Sequence, residues 1–446
     1  MPSARSRVFN ISSIAVIGAG PSGIAAAKSL LAENAFQRID IIEQRSKISG
    51  LWAYDPSYKR PDQAYPIPQT NPDADPNAAS RPATYLSPVY DRLETNIPRG
   101  LMGFSDLDWP KDAYLFPKHD TVTEYIENYS KSVRHLIKFG TKLISAAPED
   151  DEDDTSGWRV TLEAADRTQH HCHYDAIVAA TGHFNKVLLI GNGASGVDIA
   201  SQIRQFCRPP LLQSSRSPSM FLSSTSSTLL ELPEVTALDP TTRTAHFANG
   251  HSETNIDALL FCTGYFYSFP WLRVSPHPIT DGLRVHHTYQ HLFYRPRPTL
   301  VFPVLQQRVI PFPMAEVQAA VFARIWSGRL ALPSDAEMTT WEQRQIEESG
   351  DGKGFHLLKF PKDAEYINMM SDWAMTAVDA EQGRRPPRWG QREFWLRERF
   401  AEIRKQYGEL GERRWEVKSV GEMGFDFDAW KRQRGGQGED ELATSR

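Results

Sequence analysis

The run Ile14-Ala15-Val16-Ile17-Gly18-Ala19-Gly20-Pro21-Ser22-Gly23, continued by Ile24–Leu31, leaves this chain few ways to fold. A short apolar stretch breaks into Gly-x-Gly-x-x-Gly and then into an alanine-rich stretch, which predicts strand, tight turn and helix. Gly18 permits the turn, Gly20 lets the backbone approach a pyrophosphate, and Gly23 lets the helix pack on the strand. Ala19, Pro21 and Ser22 complete a helix N-terminus that faces the phosphates. A second apolar run, Ile39–Ile42, ends in Glu43, about 20 residues past Gly23, where an acid reaches a ribose 2′-hydroxyl. The pattern is a seat for a dinucleotide with a free ribose, FAD or NAD.

Composition narrows the partners. The 446 residues exceed what one core serves, so two or three domains are expected. A formal net charge of −5 and the lack of a concentrated basic stretch argue against nucleic acid or an anionic membrane surface. Three cysteines, Cys172, Cys207 and Cys262, are odd in number, far apart and without Cys-x-x-Cys, against a disulfide framework, a zinc ribbon and a dithiol centre. A reducing compartment, the cytoplasm, is expected. The short apolar run after Met1–Asn10 is the first strand itself, so no cleaved signal is expected. No apolar stretch suits a membrane span, and the polar end 433–446 offers no anchor.

Between the first seat and its closing strand the signals are local. Ser49-Gly50-Leu51-Trp52 reads from its residues as a turn followed by a core tryptophan, and 59–83, dense in Pro, Asp, Asn and Gln, as a long surface excursion. A short helix is expected over Val89–Glu94, with Asn96 on the turn before Pro98. Thr121–Leu136 carries Val122, Tyr125, Ile126 and Tyr129 at helical spacing, with Thr121 and Glu124 as a capping box. The acidic block 149–154 is read as a solvated hairpin tip before the strand Trp158–Glu163, in preference to a metal site.

The chain then repeats its opening. Tyr174–Gly182 is a buried strand ending in Thr181-Gly182, and almost at once Lys186–Ile190 leads into Gly191-Asn192-Gly193-Ala194-Ser195-Gly196 and a second helix. A strand at 210–215 is followed by Arg216, again about 20 residues past the last glycine, but now a cation. A 2′-phosphate needs that cation and is repelled by an acid, so the second seat suits NADP. Ile256–Gly264 closes this unit as Tyr174–Gly182 closed the first, ending in Thr263-Gly264. The predicted fold class is α/β, with two Rossmann-like dinucleotide-binding domains. The smaller NADP-binding domain (186–263) is inserted into a discontinuous domain that carries the first seat, for FAD or NAD (11–185 and 264–380), and a helical extension with a polar tail occupies 381–446. Further elements are a strand at 299–304, a helix beginning near Pro311, and helices at 371–380 and 392–407, the last mostly solvated.

These residues together resemble the class B flavin-dependent monooxygenases, most closely the flavin-containing monooxygenases of the fungal type. The landmarks are 18–23, Glu43, Gly50-Leu51-Trp52, Leu93–Pro98 with Leu101-Met102 and Phe104-Ser105-Asp106, Ala180–Phe184, 191–196 and Phe261–Tyr265, covering about 14–320. The resemblance implies that NADPH reduces FAD and that O₂ adds to the flavin to give a C4a-hydroperoxide. One oxygen then passes to a soft nucleophile, sulfur or nitrogen, of a small molecule. It also implies that Leu51 and Trp52 lie against FAD, that Thr95 and Asn96 sit at the cofactor, and that Asn96 hydrogen-bonds near the flavin and NADP. A homodimer stays open. The cofactor carries the chemistry, so no catalytic triad or metal cluster is required.

In one place the chain departs from that pattern. The family's Phe-x-Gly-x-x-x-His-x-x-x-Tyr/Phe signature belongs on a connector between the Ala-Thr-Gly strand and the second glycine motif, yet only His183–Lys186 separate Gly182 from Val187. Three readings therefore compete: an oxygenase of sulfur or nitrogen, a Baeyer–Villiger-type oxygenase of ketones, and an FAD-binding protein with impaired oxygenation that acts as an NADPH oxidase or does not turn over.

Overall fold

A computed structural model describes residues 9–54, 93–150, 156–181, 211–215, 229–254 and 266–434, with single positions between them. Its centre is a seven-stranded mixed sheet whose middle strands run parallel. Strand β1 (Ser13–Ile17) lies between β2 (Arg38–Ile42) and a strand at Ala176–Ala179, with Ile14 opposite both Ile39 and Ala176. Ile14, Ala15 and Val16 are fully buried, as both-faces-covered parallel strands require. The sheet continues through β3 (Ile137–Lys138) beyond β2. On the other side Leu300–Val301 pairs with the Ala176–Ala179 strand, followed by Phe293–Tyr294 and Thr288–Tyr289. Strands from both sides of the segment 182–265 thus share one sheet.

Two helices pack against each other over this sheet. Helix α1 (Pro21–Glu33) buries Ile24, Ala25, Ala26 and Ala27 completely, the small side chains allowing close approach. Pro311–Trp326 is buried along almost its whole length and begins on proline, as the sequence predicts. On the opposite face of the central sheet, against Ala15, Ile17 and Ile177, packs an antiparallel sheet of β4 (Lys142–Pro148), β5 (Trp158–Glu163) and β6 (Gln169–Tyr174). Its acidic tip is held by Arg297, which donates to Asp150 O at 2.7 Å and Ser156 O at 2.9 Å. The strands are therefore β7 (Ala176–Ala179), β8 (Leu211–Ser214), β9 (Leu229–Leu232), β10 (Val235–Asp239), β11 (Thr244–Phe247), β12 (Ser252–Glu253), β13 (Thr288–Tyr289), β14 (Phe293–Tyr294) and β15 (Leu300–Val301). Between β7 and β13, β8 pairs in parallel with β9, and β10 to β12 form a small antiparallel sheet around Leu232, Ala245 and Phe247.

Several boundaries differ from expectation. The helix expected at Thr121–Leu136 is α2 (His119–Ser130). It starts after extended Lys118 with no side-chain cap, and Thr121 bonds Asp120 instead of capping. It stops because the chain must turn through 134–136 to place Ile137 beside Ile41. Helix α3 (Pro311–Trp326) is followed by α4 (Asp335–Ser349), which the sequence reading missed although Ser334 and Glu337 form a complete capping box. The helix expected at 371–380 is α5 (Lys362–Ala374), which closes with Met375 N donating to Ser371 O and Asp372 O, and Arg329 takes the Val378 and Asp379 carbonyls of the chain beyond it. Helix α6 (Gln391–Glu409) is where expected but not merely solvated: Trp395, Leu396, Ile403 and Tyr407 form a buried stripe on the main core. A last helix, α7 (Phe427–Arg434), ends the described chain. Of the short helix expected at 89–94 only the ends are described, and Glu94 lies in an extended pairing with Lys118.

Candidate cofactor site

The carboxyl ends of β1, β2 and β7 meet at one edge, where open parallel sheets bind ligands. After β1, Gly18 takes φ +105°, and a Cβ there would come within 2.4 Å of Ala180 O. At Gly23 a Cβ would stand 1.9 Å from Gly18 O, so helix and turn touch backbone to backbone. Gly20 is different. Its φ of −82° suits any residue, and a Cβ would meet nothing nearer than Gly50 Cα at 3.6 Å. The protein itself does not exclude a side chain at Gly20; a ligand against the backbone would.

Helix α1 has no side-chain cap and no acid in its first turn. Pro21 lacks an N–H, and Ser22 and Gly23 lie in the first turn, whose amides have no intrahelical acceptor, so partial positive charge faces outward. Glu43, 5% exposed, is held rigidly beside them: Oε2 accepts from Ala19 N at 2.8 Å and Oε1 from Arg45 N at 2.8 Å. Each oxygen keeps a lone pair for a ribose hydroxyl. Uncapped amides, a bare Gly20 and an anchored carboxylate fit a dinucleotide with a free ribose.

The Ser49–Trp52 turn closes on this seat. Ser49 (φ +88°) and Gly50 (φ +56°) are both left-handed, Ser49 N donates to Ala19 O at 3.1 Å, and a Cβ on Gly50 would sit 3.0 Å from Gly20 Cα. Arg45 Nη1 holds Gly50 O at 2.8 Å. Ser49 Oγ is buried without a hydrogen-bond partner among the described residues. Leu51 and Trp52 follow in a short 3₁₀ turn, Trp52 half-buried against the core. Sequence reasoning gave no role to Ser49 or Arg45; a left-handed serine carries no sequence signal.

Helix α2 brings the second group of candidates to the same place. Thr123 Oγ1 donates to Trp52 O at 2.9 Å. At the start of the helix, His119 N donates to Leu93 O at 3.0 Å and Thr95 N to Pro117 O at 2.9 Å. Thr95 is buried and its hydroxyl donates to Ile97 O at 2.9 Å, closing the turn. Asn96 at the tip is exposed, with no hydrogen-bond partner among the described residues. Thr181 is exposed just past β7. Gly182, Gly191, Gly193, Ser195, Gly196, Arg216, Thr263 and Gly264, together with the short connector, lie outside the described residues.

A family model described as flavin-binding monooxygenase-like matches residues 82–189 and 228–382, more than half of the chain, and a model of an NAD(P)-binding Rossmann-like domain matches 16–71. The flavin-containing monooxygenase FMO GS-OX-like 2 of Arabidopsis thaliana is 30% identical over 407 residues, covering 80% of this chain and 84% of that protein. The chain belongs to the flavin-containing monooxygenase family.

The similarity extends to further proteins. The thiol-specific monooxygenase of Saccharomyces cerevisiae is 26% identical over 404 residues, covering 79% of this chain and 83% of that one. Among solved structures, S-allyl-L-cysteine S-oxygenase from Allium sativum superposes with a TM-score of 0.73 at 22% identity, over 96% of this chain and 99% of that one. Cyclohexanone monooxygenase superposes at 0.51 and 13% identity, over 84% and 99%. At these identities the structures share a fold and do not choose a substrate. As a flavin-containing monooxygenase the chain takes FAD and NADPH as its cofactors and is an oxidoreductase. Among the described residues no helix is long and apolar enough to cross a membrane.

Proposed function

We propose that this chain uses NADPH and FAD to transfer one oxygen atom of O₂ to the sulfur or nitrogen of a small molecule. The observation that carries the reading is the seat at the sheet edge: uncapped α1 amides, bare Gly20 and Glu43 pinned between Ala19 and Arg45. When bound, the flavin supplies the redox chemistry and the activation of O₂. The chain's own part is to bind and orient. The α1 amides and Gly20 hold the pyrophosphate, and Glu43 takes the ribose hydroxyls. Trp52, half in the core, walls the site against water, and the unpartnered Asn96 amide supplies an oriented hydrogen bond. Arg216 in the second unit selects NADPH over NADH. A thiol-specific relative supports sulfur as the acceptor.

The domain boundaries proposed with this function are 11–185 with 264–380 for FAD, 186–263 for NADP and 381–446 for the extension, in a cytoplasmic protein. A second reading, FAD bound but oxygenation impaired, is favoured by the short connector at His183–Lys186. The two separate in one assay: NADPH consumption, H₂O₂ release and product formation with a thioether, an amine and a ketone. Sulfoxide or N-oxide in step with NADPH supports the first reading, and H₂O₂ in step with NADPH the second. Lactone or ester from the ketone alone overturns both in favour of a Baeyer–Villiger-type enzyme.

A further inference from the structure

We propose that the C-terminal extension is a working part of the oxygenating site, because Arg404 and Arg414 hold the Asn96 loop in place through the buried carboxylate of Glu94. Both arginines lie beyond residue 382, where the family model stops matching. Glu94 is two residues before Asn96, and its side chain is 4% exposed. Arg404, on α6, donates from Nη1 to Glu94 Oε1 at 2.8 Å. Arg414, on the 3₁₀ turn Gly411–Glu416, sets Nε 3.5 Å from Glu94 Oε2, an ion pair without a hydrogen bond. A buried carboxylate without a cation is costly, so these pairs decide where Glu94 can sit.

The surroundings leave Glu94 little freedom. Arg404 lies over the ring of Phe116 at 5.0 Å, Phe116 meets fully buried Tyr407 at 4.6 Å, and Leu115 N donates to Val417 O at 3.1 Å. The extension thus covers the segment 115–118 against which 93–95 pairs. From Glu94 to Asn96 the links are stiff: the pairing of Glu94 with Lys118, the Thr95 N to Pro117 O bond, and the Thr95 Oγ1 bond to Ile97 O. A shift of Glu94 is therefore passed to the Asn96 tip, whose exposed amide has no other tether among the described residues. Arg404 and Arg414 are positioning residues, and this role rests on the oxygenase reading of Asn96.

The test uses the full-length protein with Arg404→Ala, Arg404→Lys and Glu94→Gln, the last keeping the buried volume should Arg404→Ala fail to fold. Amide hydrogen exchange, which needs no activity, should quicken about tenfold at Thr95 in Arg404→Ala and Glu94→Gln and stay unchanged over Ser13–Glu33. In the FAD-loaded enzyme the share of NADPH electrons released as H₂O₂ should rise severalfold at unchanged FAD content, and Arg404→Lys should recover part of both effects. Unchanged exchange at Thr95 overturns the clamp. Faster exchange with an unchanged H₂O₂ share overturns its role at the site. A wild-type enzyme that forms no sulfoxide or N-oxide overturns the oxygenase reading instead, and the exchange arm then judges the clamp alone.

Discussion

The three glycines of the first motif should fail in different ways when each is replaced by alanine. At Gly23 the new Cβ would lie 1.9 Å from Gly18 O, against a floor of 3.0 Å for real Cβ contacts, and the obstacle is backbone. Helix α1 or the turn must then move by more than an ångström within a close-packed layer, at about 3 kcal/mol or more. Gly18→Ala meets Ala180 O at 2.4 Å and a φ of +105°, and belongs with it. Gly20→Ala has no such conflict, its nearest neighbour being Gly50 Cα at 3.6 Å, so folding should change by no more than about 1 kcal/mol, the scale of an N-cap exchange. Its cost falls on the ligand. A methyl against the pyrophosphate forfeits a charge-assisted contact of about 1.5–3 kcal/mol, or about 10- to 150-fold in FAD affinity. Thermal melts of the FAD-free proteins and flavin titration give the two readouts. Wild-type FAD affinity in a folded Gly20→Ala, or wild-type stability in Gly23→Ala, would refute the assignment of roles.

Asn96→Ala should keep FAD and divert NADPH oxidation to H₂O₂, measured as peroxide per NADPH; unchanged coupling would return Asn96 to a turn residue. Arg216→Ala should weaken NADPH about 10- to 100-fold and leave NADH nearly unchanged in steady-state KM comparisons, whereas equal losses would show that Arg216 does not read the 2′-phosphate. Stability should also fall with acidity. Burial pushes the His291 imidazole down to about 3, so between that value and 6.5 the unfolded chain binds the extra proton and stability drops as pH falls. From pH 7 to 5 the loss is about 2 kcal/mol, and His291→Leu should flatten the slope of melting temperature against pH over that window.

What was legible in the sequence was local in the chain. Gly23 meets Gly18 within one strand, turn and helix, and Glu43 bonds Ala19 and Arg45 from the end of the next strand, so their spacing in the chain marks them. Ser49 adopts a left-handed conformation while its N–H bonds Ala19 O and its carbonyl accepts from Trp52 N, and nothing in a serine announces that. Glu94 lies more than 300 positions from Arg404, and no periodicity links them. Beyond the end of α5, Arg329 takes the Val378 and Asp379 carbonyls from some fifty positions away, a contact that no local pattern announces either. The Ser334 and Glu337 box is local, but the charged stretch after it buries only Met338 and Glu342, so no apolar stripe marks the helix that the box begins.

The sheet that takes strands from both sides of 182–265 sets an order of events on the ribosome. Strand β7 can pair with β1 as soon as it emerges, but its other edge stays open until Leu300–Val301 has been made. That edge is Ala-Ile-Val-Ala, uncharged and free of proline, the kind of exposed strand that recruits other chains. For more than a hundred residues of synthesis the nascent protein therefore carries a sticky edge, and any truncation ending before Thr299 keeps it for good. Fragments of this chain that retain the first seat but stop short of β15 should accumulate as aggregates even though every residue of the FAD fingerprint is present.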